Sequence, residues 1–198
     1  ITAVGSIETA ISMPIVFLAL GHDTVAEFLT FALIAAALVS QLAKRFLWRN
    51  RPHMDDRAVG LRTAQTSSFP SRAVLLFVVY AFTVAYTLDP SPGSTAWKHP
   101  PIWIVLVLVA VLVSSFARMF LGEHYLSDCL VGAAAGIVCV VFGTLLEAWH
   151  TSVCGACAES ACYGGRHGMS EWPIIATPMA GSWILLITSF VAFAIVLV

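Results

Sequence analysis

Residues 73–88 read AVLLFVVYAFTVAYTL, and they contain no Asp, Glu, Lys or Arg. The stretch does not alternate polar with apolar, as a strand with one wet face would. A run of this kind predicts a helix sheltered from water on every side. The same reading applies to 102–117, 130–146 and 173–198, which are equally free of those four residues. Two earlier apolar stretches, 1–20 and 24–43, carry one acid each, Glu8 and Glu27. Crossing hydrocarbon takes about 20 residues of helix, and the ends can borrow from their flanks. Six transmembrane helices are therefore expected, an all-α polytopic bundle forming a single membrane-embedded domain over 1–198. A strand barrel is excluded because the runs are continuous. Glu27, four residues past Asp23, is expected near a helix end.

Composition agrees. The chain is 59% hydrophobic and only 11% charged, with a mean hydropathy of +0.89, whereas soluble domains are about 25% charged. A net charge of -1 provides no basic field for nucleic acid, so membrane lipids are the expected surroundings and nucleic acid is not a partner. The first apolar run has no basic stretch before it and no small-residue cleavage site after it, and so reads as a span and not as a secretory signal. A chain that starts at Ile1 is expected to be trimmed.

Between the spans lie the connections 44–72, 89–101, 118–129 and 147–172, with a tight turn at Gly21-His22-Asp23. Helices alternate direction, so 44–72 and 118–129 emerge on one face. Of ten basic residues, that face takes Lys44, Arg45, Arg49, Arg51, Arg57, Arg62, Arg72 and Arg118. A positive-inside signature is one reading; a seat for an anion at the membrane surface is the other. Spacing favours the seat. Lys44 and Arg51 stand two helical turns apart and can point the same way from the end of the second helix, and Pro52 then lets the chain leave it. Ser71 occupies an N-cap position at the start of the third helix, beside free N–H groups and a positive dipole end. Arg118 is followed by His124, and His124 by Asp128 at i+4, a spacing that shares a helix face. The carboxylate can hold one ring nitrogen as N–H and leave the other free as a nucleophile. Cations, a hydroxyl, a helix N-terminus and an oriented imidazole describe a site for phosphoryl transfer.

The order Lys44-x6-Arg51-Pro52, Pro70-Ser71, Arg118-x5-His124-x3-Asp128 resembles the three-part signature of the type-2 phosphatidic acid phosphatase superfamily. That group includes lipid phosphate phosphatases, glucose-6-phosphatase, bacterial acid phosphatases and vanadium haloperoxidases. The match spans 44–128, and the hydropathy favours the membrane branch, whose six-helix bundles carry all three motifs on one face. The resemblance implies that His124 attacks phosphorus and forms a phosphohistidine, with Asp128 orienting and charging its ring. Lys44, Arg51, Arg118 and the Ser71 hydroxyl would hold the non-bridging oxygens, Arg72 would add one more cation, and no metal or other cofactor would be needed. The substrate implied is a lipid phosphate or diphosphate.

Two departures stand out. The family's second motif ends in Gly-His where this chain has Arg72-Ala73, so the histidine that protonates the leaving oxygen is missing. Ala117 also replaces the serine before Arg118. An attenuated phosphatase carrying a His-to-Ala change is the preferred reading, and a catalytically silent lipid-phosphate-binding protein is the alternative. A transporter is disfavoured because no ionisable residue lies mid-helix in the last four spans.

Cys154, Cys157, Cys162 and His167 have zinc-knuckle-like spacing. A disulfide leads among their readings, ahead of zinc, free thiols and palmitoylation. Cys129 and Cys139 are expected to pack in the fifth helix, and the six tryptophans to form an interfacial belt. His22, His99 and His150 are expected to be solvated. As to the face, the basic residues left after removing Lys44, Arg51, Arg72 and Arg118 point mildly to the cytoplasm; the resemblance points to the lumen or cell exterior.

Overall fold

The computed structural model describes residues 7–55, 66–88 and 100–163. They form five α-helices and, among the described residues, no strand: α1 Ile7–Ala19, α2 Asp23–Phe46, α3 Arg72–Leu88, α4 Pro100–Phe120 and α5 Leu126–Tyr163. The stretch 173–198, read as a sixth span, lies outside the described residues. Among the described residues, two helical segments, Thr24–Phe46 and Leu126–His150, are by length and composition long and apolar enough to cross a membrane, and Thr9–Ala19, Arg72–Thr87 and Ile104–Phe120 are shorter apolar helices.

Two helix ends are built alike. Gly21, at φ 78°, closes α1, and Gly122, at φ 67°, closes α4. After α1 the His22 N–H reaches the Phe17 carbonyl at 2.9 Å and the Gly21 N–H reaches Leu18 at 3.0 Å. After α4 the Glu123 N–H reaches Arg118 at 3.2 Å and the Gly122 N–H reaches Met119 at 3.0 Å. Both are Schellman ends, in which a left-handed glycine lets two N–H groups turn back onto the last free carbonyls. The expected turn at Gly21-His22-Asp23 is therefore present.

α5 is longer than its sequence reading. Its 38 residues extend to about 57 Å at 1.5 Å each, well beyond a hydrocarbon core of about 30 Å. The expected connection 147–172 is helical as far as Tyr163. The stretch 147–163 contains no proline and only one glycine, Gly155, and is otherwise rich in Ala, Cys, Ser and Glu, so nothing in it breaks a helix. The extension carries His150 onto the first turns of α2, where it is buried and paired with Glu27; the expectation of a solvated His150 is thereby corrected. The backbone of Cys154, Cys157 and Cys162 is helical, while their side chains, and His167 altogether, lie outside the described residues.

Three glycines let α5 sit close to its neighbours. A Cβ at Gly132 would stand 2.6 Å from the Ser71 carbonyl oxygen, one at Gly136 2.8 Å from Val78 Cβ, and one at Gly143 2.9 Å from Ala32 Cβ. Any larger residue would push α5 away from α3 or α2. Phe28, Leu29 and Ala32 from α2, Leu75 and Val79 from α3, and Cys139 from α5 meet in the core; Cys129 and Cys139 are both buried free thiols. The outer surface is apolar too: Leu112, Phe116, Phe120, Val138 and Leu145 are each more than 60% exposed. Hydroxyls inside the helices turn back onto their own backbone, Thr30 to the Ala26 carbonyl at 2.7 Å and Thr83 to Val79 at 2.9 Å. That is how polar groups are satisfied where water is scarce.

Candidate active site

Among the described residues, those of the three sequence motifs meet where α2 and α4 end and α3 and α5 begin. The frame is a pair of backbone segments fastened together by serines. The Ser68 N–H donates to the Arg49 carbonyl at 3.0 Å, and the Ser68 hydroxyl donates to the Asn50 carbonyl at 3.2 Å. The Ser67 hydroxyl lies 3.2 Å from the Leu47 carbonyl and accepts the Arg49 N–H at 3.2 Å. Segment 66–71 is thus held against 47–50, and the Ser71 N–H ties it to the Asp128 carbonyl at 3.1 Å.

This frame points the Ser68 carbonyl at His124, whose Nδ1 lies 2.6 Å away. A carbonyl can only accept, so Nδ1 carries the hydrogen and the Nε2 lone pair is left free. Burial, reinforced by Arg51 and further by Arg118 and Lys44, holds the His124 pKa down to about 3; the Ser68 hydrogen bond opposes this only in part. At neutral pH the ring is uncharged and already in the tautomer a nucleophile requires.

The pairing that the sequence spacing suggests is not made. Asp128 Oδ2 stands 3.9 Å from His124 Nδ1, too far for a hydrogen bond. The reason is local. α5 begins at Leu126, so His124 precedes the helix and shares no helix face with Asp128. Asp128, fully buried, instead accepts the Tyr125 N–H at 3.0 Å, the backward half of a capping box. Its other oxygen takes Arg49 Nη1 at 2.7 Å. Arg49 also donates to Ser127 Oγ at 2.8 Å and stacks 4.3 Å over the Tyr125 ring.

The cations arrive by routes that differ from the expected ones. α2 ends at Phe46, so Arg51 does not share a helix face with Lys44; it comes in from the following loop. There it is 5% exposed and donates through Nε and Nη2 to the Thr66 carbonyl and hydroxyl at 2.8 and 2.9 Å. Arg118 projects from the last turn of α4 and pairs with the buried Glu123. Lys44 lies within the field of Arg72, Arg51, Arg118 and Glu123, so all four cations of the sequence reading share one neighbourhood. Ser71 precedes α3 as expected, and its carbonyl accepts the Leu75 N–H at 3.1 Å. Its hydroxyl does not cap the helix. Ser71 Oγ and Arg118 Nε are both buried without a hydrogen-bond partner among the described residues, and such groups are costly unless something polar joins them. Ala73 is buried at 5% exposure.

Three participants escape the sequence reading. Arg49 belongs to none of the three motifs and stands in the sequence only as one of the basic residues of that face. The Ser68 carbonyl is a backbone group with no residue signature. Glu123 had a visible signal, an acid set directly between Gly122 and His124.

A family model for the PAP2 superfamily matches residues 26–152. The chain belongs to that superfamily, the one its three motifs resemble, and membership makes it a phosphatase-type hydrolase. Neither the curated proteins nor the solved structures contain a match to it.

Proposed function

We propose that the protein hydrolyses a lipid phosphate or lipid diphosphate by metal-independent phosphoryl transfer through His124. The observation that carries this reading is the buried, neutral imidazole fixed on the Ser68 carbonyl beside partnerless Ser71 Oγ and Arg118 Nε. A tetrahedral phosphate supplies oxygens to such donors, and charge-assisted bonds of this kind are roughly twice as strong as neutral ones. His124 Nε2 would attack phosphorus in line with the leaving oxygen. Lys44, Arg51, Arg72, Arg118 and Ser71 would hold the non-bridging oxygens as charge moves onto them. The ring becomes cationic in the phosphoenzyme, and Asp128 at 3.9 Å would steady that charge through space and not by a hydrogen bond. Water would then release phosphate.

A lipid substrate fits the surroundings: helices with apolar outer faces favour a six-span bundle in which the tail stays in the bilayer while the head group reaches the basic surface, and the family resemblance favours the lumenal or extracytoplasmic side for that surface. Ala73 supports a weakened enzyme, since losing a general acid costs on the order of 10²–10⁴ in rate. It also supports the second reading, a silent lipid-phosphate binder. A phosphate-release screen in detergent, with EDTA present, separates the two. Release from a lipid monophosphate or diphosphate is expected; binding without release from any of them contradicts the enzymatic reading.

A further inference from the structure

With Ala73 unable to give a proton, the leaving oxygen needs another acid. Besides His124 and its cations, Asp128, Asp55, His53 and Glu123 are the described carboxyl and imidazole groups of the site. Asp128 is committed to Arg49 and the Tyr125 N–H. Asp55 is exposed and accepts from the Tyr125 hydroxyl at 2.9 Å. His53 has Nδ1 3.1 Å from the Gly122 carbonyl. Glu123 is different. It is 3% exposed, and the left-handed turn at Gly122 sets it immediately before His124. Its carboxylate faces Arg118 from α4 and, from α2, Lys44, which also feels Arg72 beside Ala73.

We propose that Glu123 is the acid that protonates the leaving oxygen, in the role for which Ala73 has no proton. The inference rests on the phosphoryl-transfer reading above. The resting carboxylate occupies one side of Arg118, the guanidinium that a phosphate must also use. When a phosphate shares Arg118, two anions crowd one cation, and a proton taken up between them relieves the repulsion. The proton comes from solvent or from the phosphate monoanion. His124 Nε2 then gives its lone pair to phosphorus, the bond from phosphorus to the lipid oxygen breaks, and its electron pair takes the Glu123 proton. The products are a free lipid alcohol, an Nε2-phosphohistidine and a Glu123 carboxylate. In the second half water attacks phosphorus, the P–N bond breaks with its electron pair returning to Nε2, and both water hydrogens leave on inorganic phosphate. Neutral His124 remains, and Glu123 regains its proton from that phosphate or from solvent.

A group that only steadied Arg118 would matter equally for every phosphate. An acid matters only where the leaving group needs a proton. The test uses the full chain in detergent with an alkyl lipid monophosphate and with p-nitrophenyl phosphate, whose leaving phenolate departs unaided. Glu123→Gln is expected to lose about 100-fold on the alkyl ester and less than about 3-fold on the nitrophenyl ester; the retained nitrophenyl activity shows that the variant is folded. Ala73→His is expected to raise alkyl-ester hydrolysis, and Ala73→His combined with Glu123→Gln to recover at least about 10-fold over Glu123→Gln alone, because a histidine then supplies the proton. Equal losses on both esters, no loss on the alkyl ester, or no recovery by the histidine would each overturn the proposal. Failure of the underlying reading looks different: phosphate release would survive His124→Ala, or no variant would release phosphate at all, and the inference would fall with it.

Discussion

Gly21 and Gly122 end their helices in the same way, with a left-handed glycine and two N–H groups turned back onto the preceding carbonyls. Each glycine is followed within two residues by a histidine and a carboxylic acid: His22 and Asp23 after the first, Glu123 and His124 after the second. The local chemistry is nearly the same and the outcomes are not. His22 is exposed and, among the described residues, meets Phe17 edge-on. His124 is buried on the Ser68 carbonyl, among cations gathered from α2, α4 and the loop after α2. The two turns are separated by most of the length of α2, whose 24 residues rise about 36 Å. A helix end makes a residue available; the elements that converge on it decide whether it becomes reactive.

Replacing the two histidines gives the largest contrast. His124→Ala is expected to lower phosphate release by on the order of 10⁴-fold or more, as loss of a nucleophile does, while His22→Ala leaves the rate within about 2-fold, since surface changes perturb little. Steady-state assays of both variants, normalised to folded protein, decide it. Comparable losses would mean that the surroundings of His124 confer nothing special.

That contrast also marks what was legible in the sequence. The apolar runs without charge gave the helical class and the position of most helices, because excluding charge over a full span is a signal that few other structures produce. Lys44, Arg51, Ser71, Arg118 and His124 were readable because phosphoryl chemistry demands those types in that order. Helix ends were less visible. α2 stops at Phe46 and α5 starts at Leu126, and those few residues decide that Arg51 comes from a loop and that Asp128 faces Arg49 instead of His124. The partner His124 does use is a carbonyl, which every residue has, so no residue pattern could single out Ser68. α5 continuing to Tyr163, and His150 meeting Glu27, depend on a helix persisting through residues that permit it without demanding it.

The glycines themselves come next. Moving a non-glycine residue into the left-handed region costs about 1–2 kcal/mol. At Gly21 a Cβ would meet nothing within 4 Å, so Gly21→Ala is expected to cost stability alone and leave activity intact. Gly122→Ala carries a similar cost and also displaces Glu123 and His124, so activity falls about 10-fold or more. Thermal unfolding in detergent, paired with phosphate release, checks both. Equal activity in the two variants would show that the α4 end does not set the geometry of the site.

The same two histidines also differ in how stability depends on pH. Burial lowers the His124 pKa from its ordinary 6.5 to about 3 in the folded chain. Between those values the unfolded chain binds the proton and the folded one does not, so stability falls as pH drops from about 6.5 toward 3. His124→Asn is expected to flatten that slope and His22→Asn to leave it unchanged. Unfolding midpoints in detergent between about pH 7 and pH 4 measure it. An unaltered slope in His124→Asn would place the ring in contact with water.

The claim that all of these contrasts depend on is that phosphorus passes through His124. The direct measurement is to mix the protein with a lipid phosphate carrying radioactive phosphorus, quench in alkali during turnover and map the labelled peptide. The expected label is stable in alkali, lost in acid, located on His124 and absent from His124→Ala. Steady phosphate release with no labelled histidine, undiminished in His124→Ala, would contradict it.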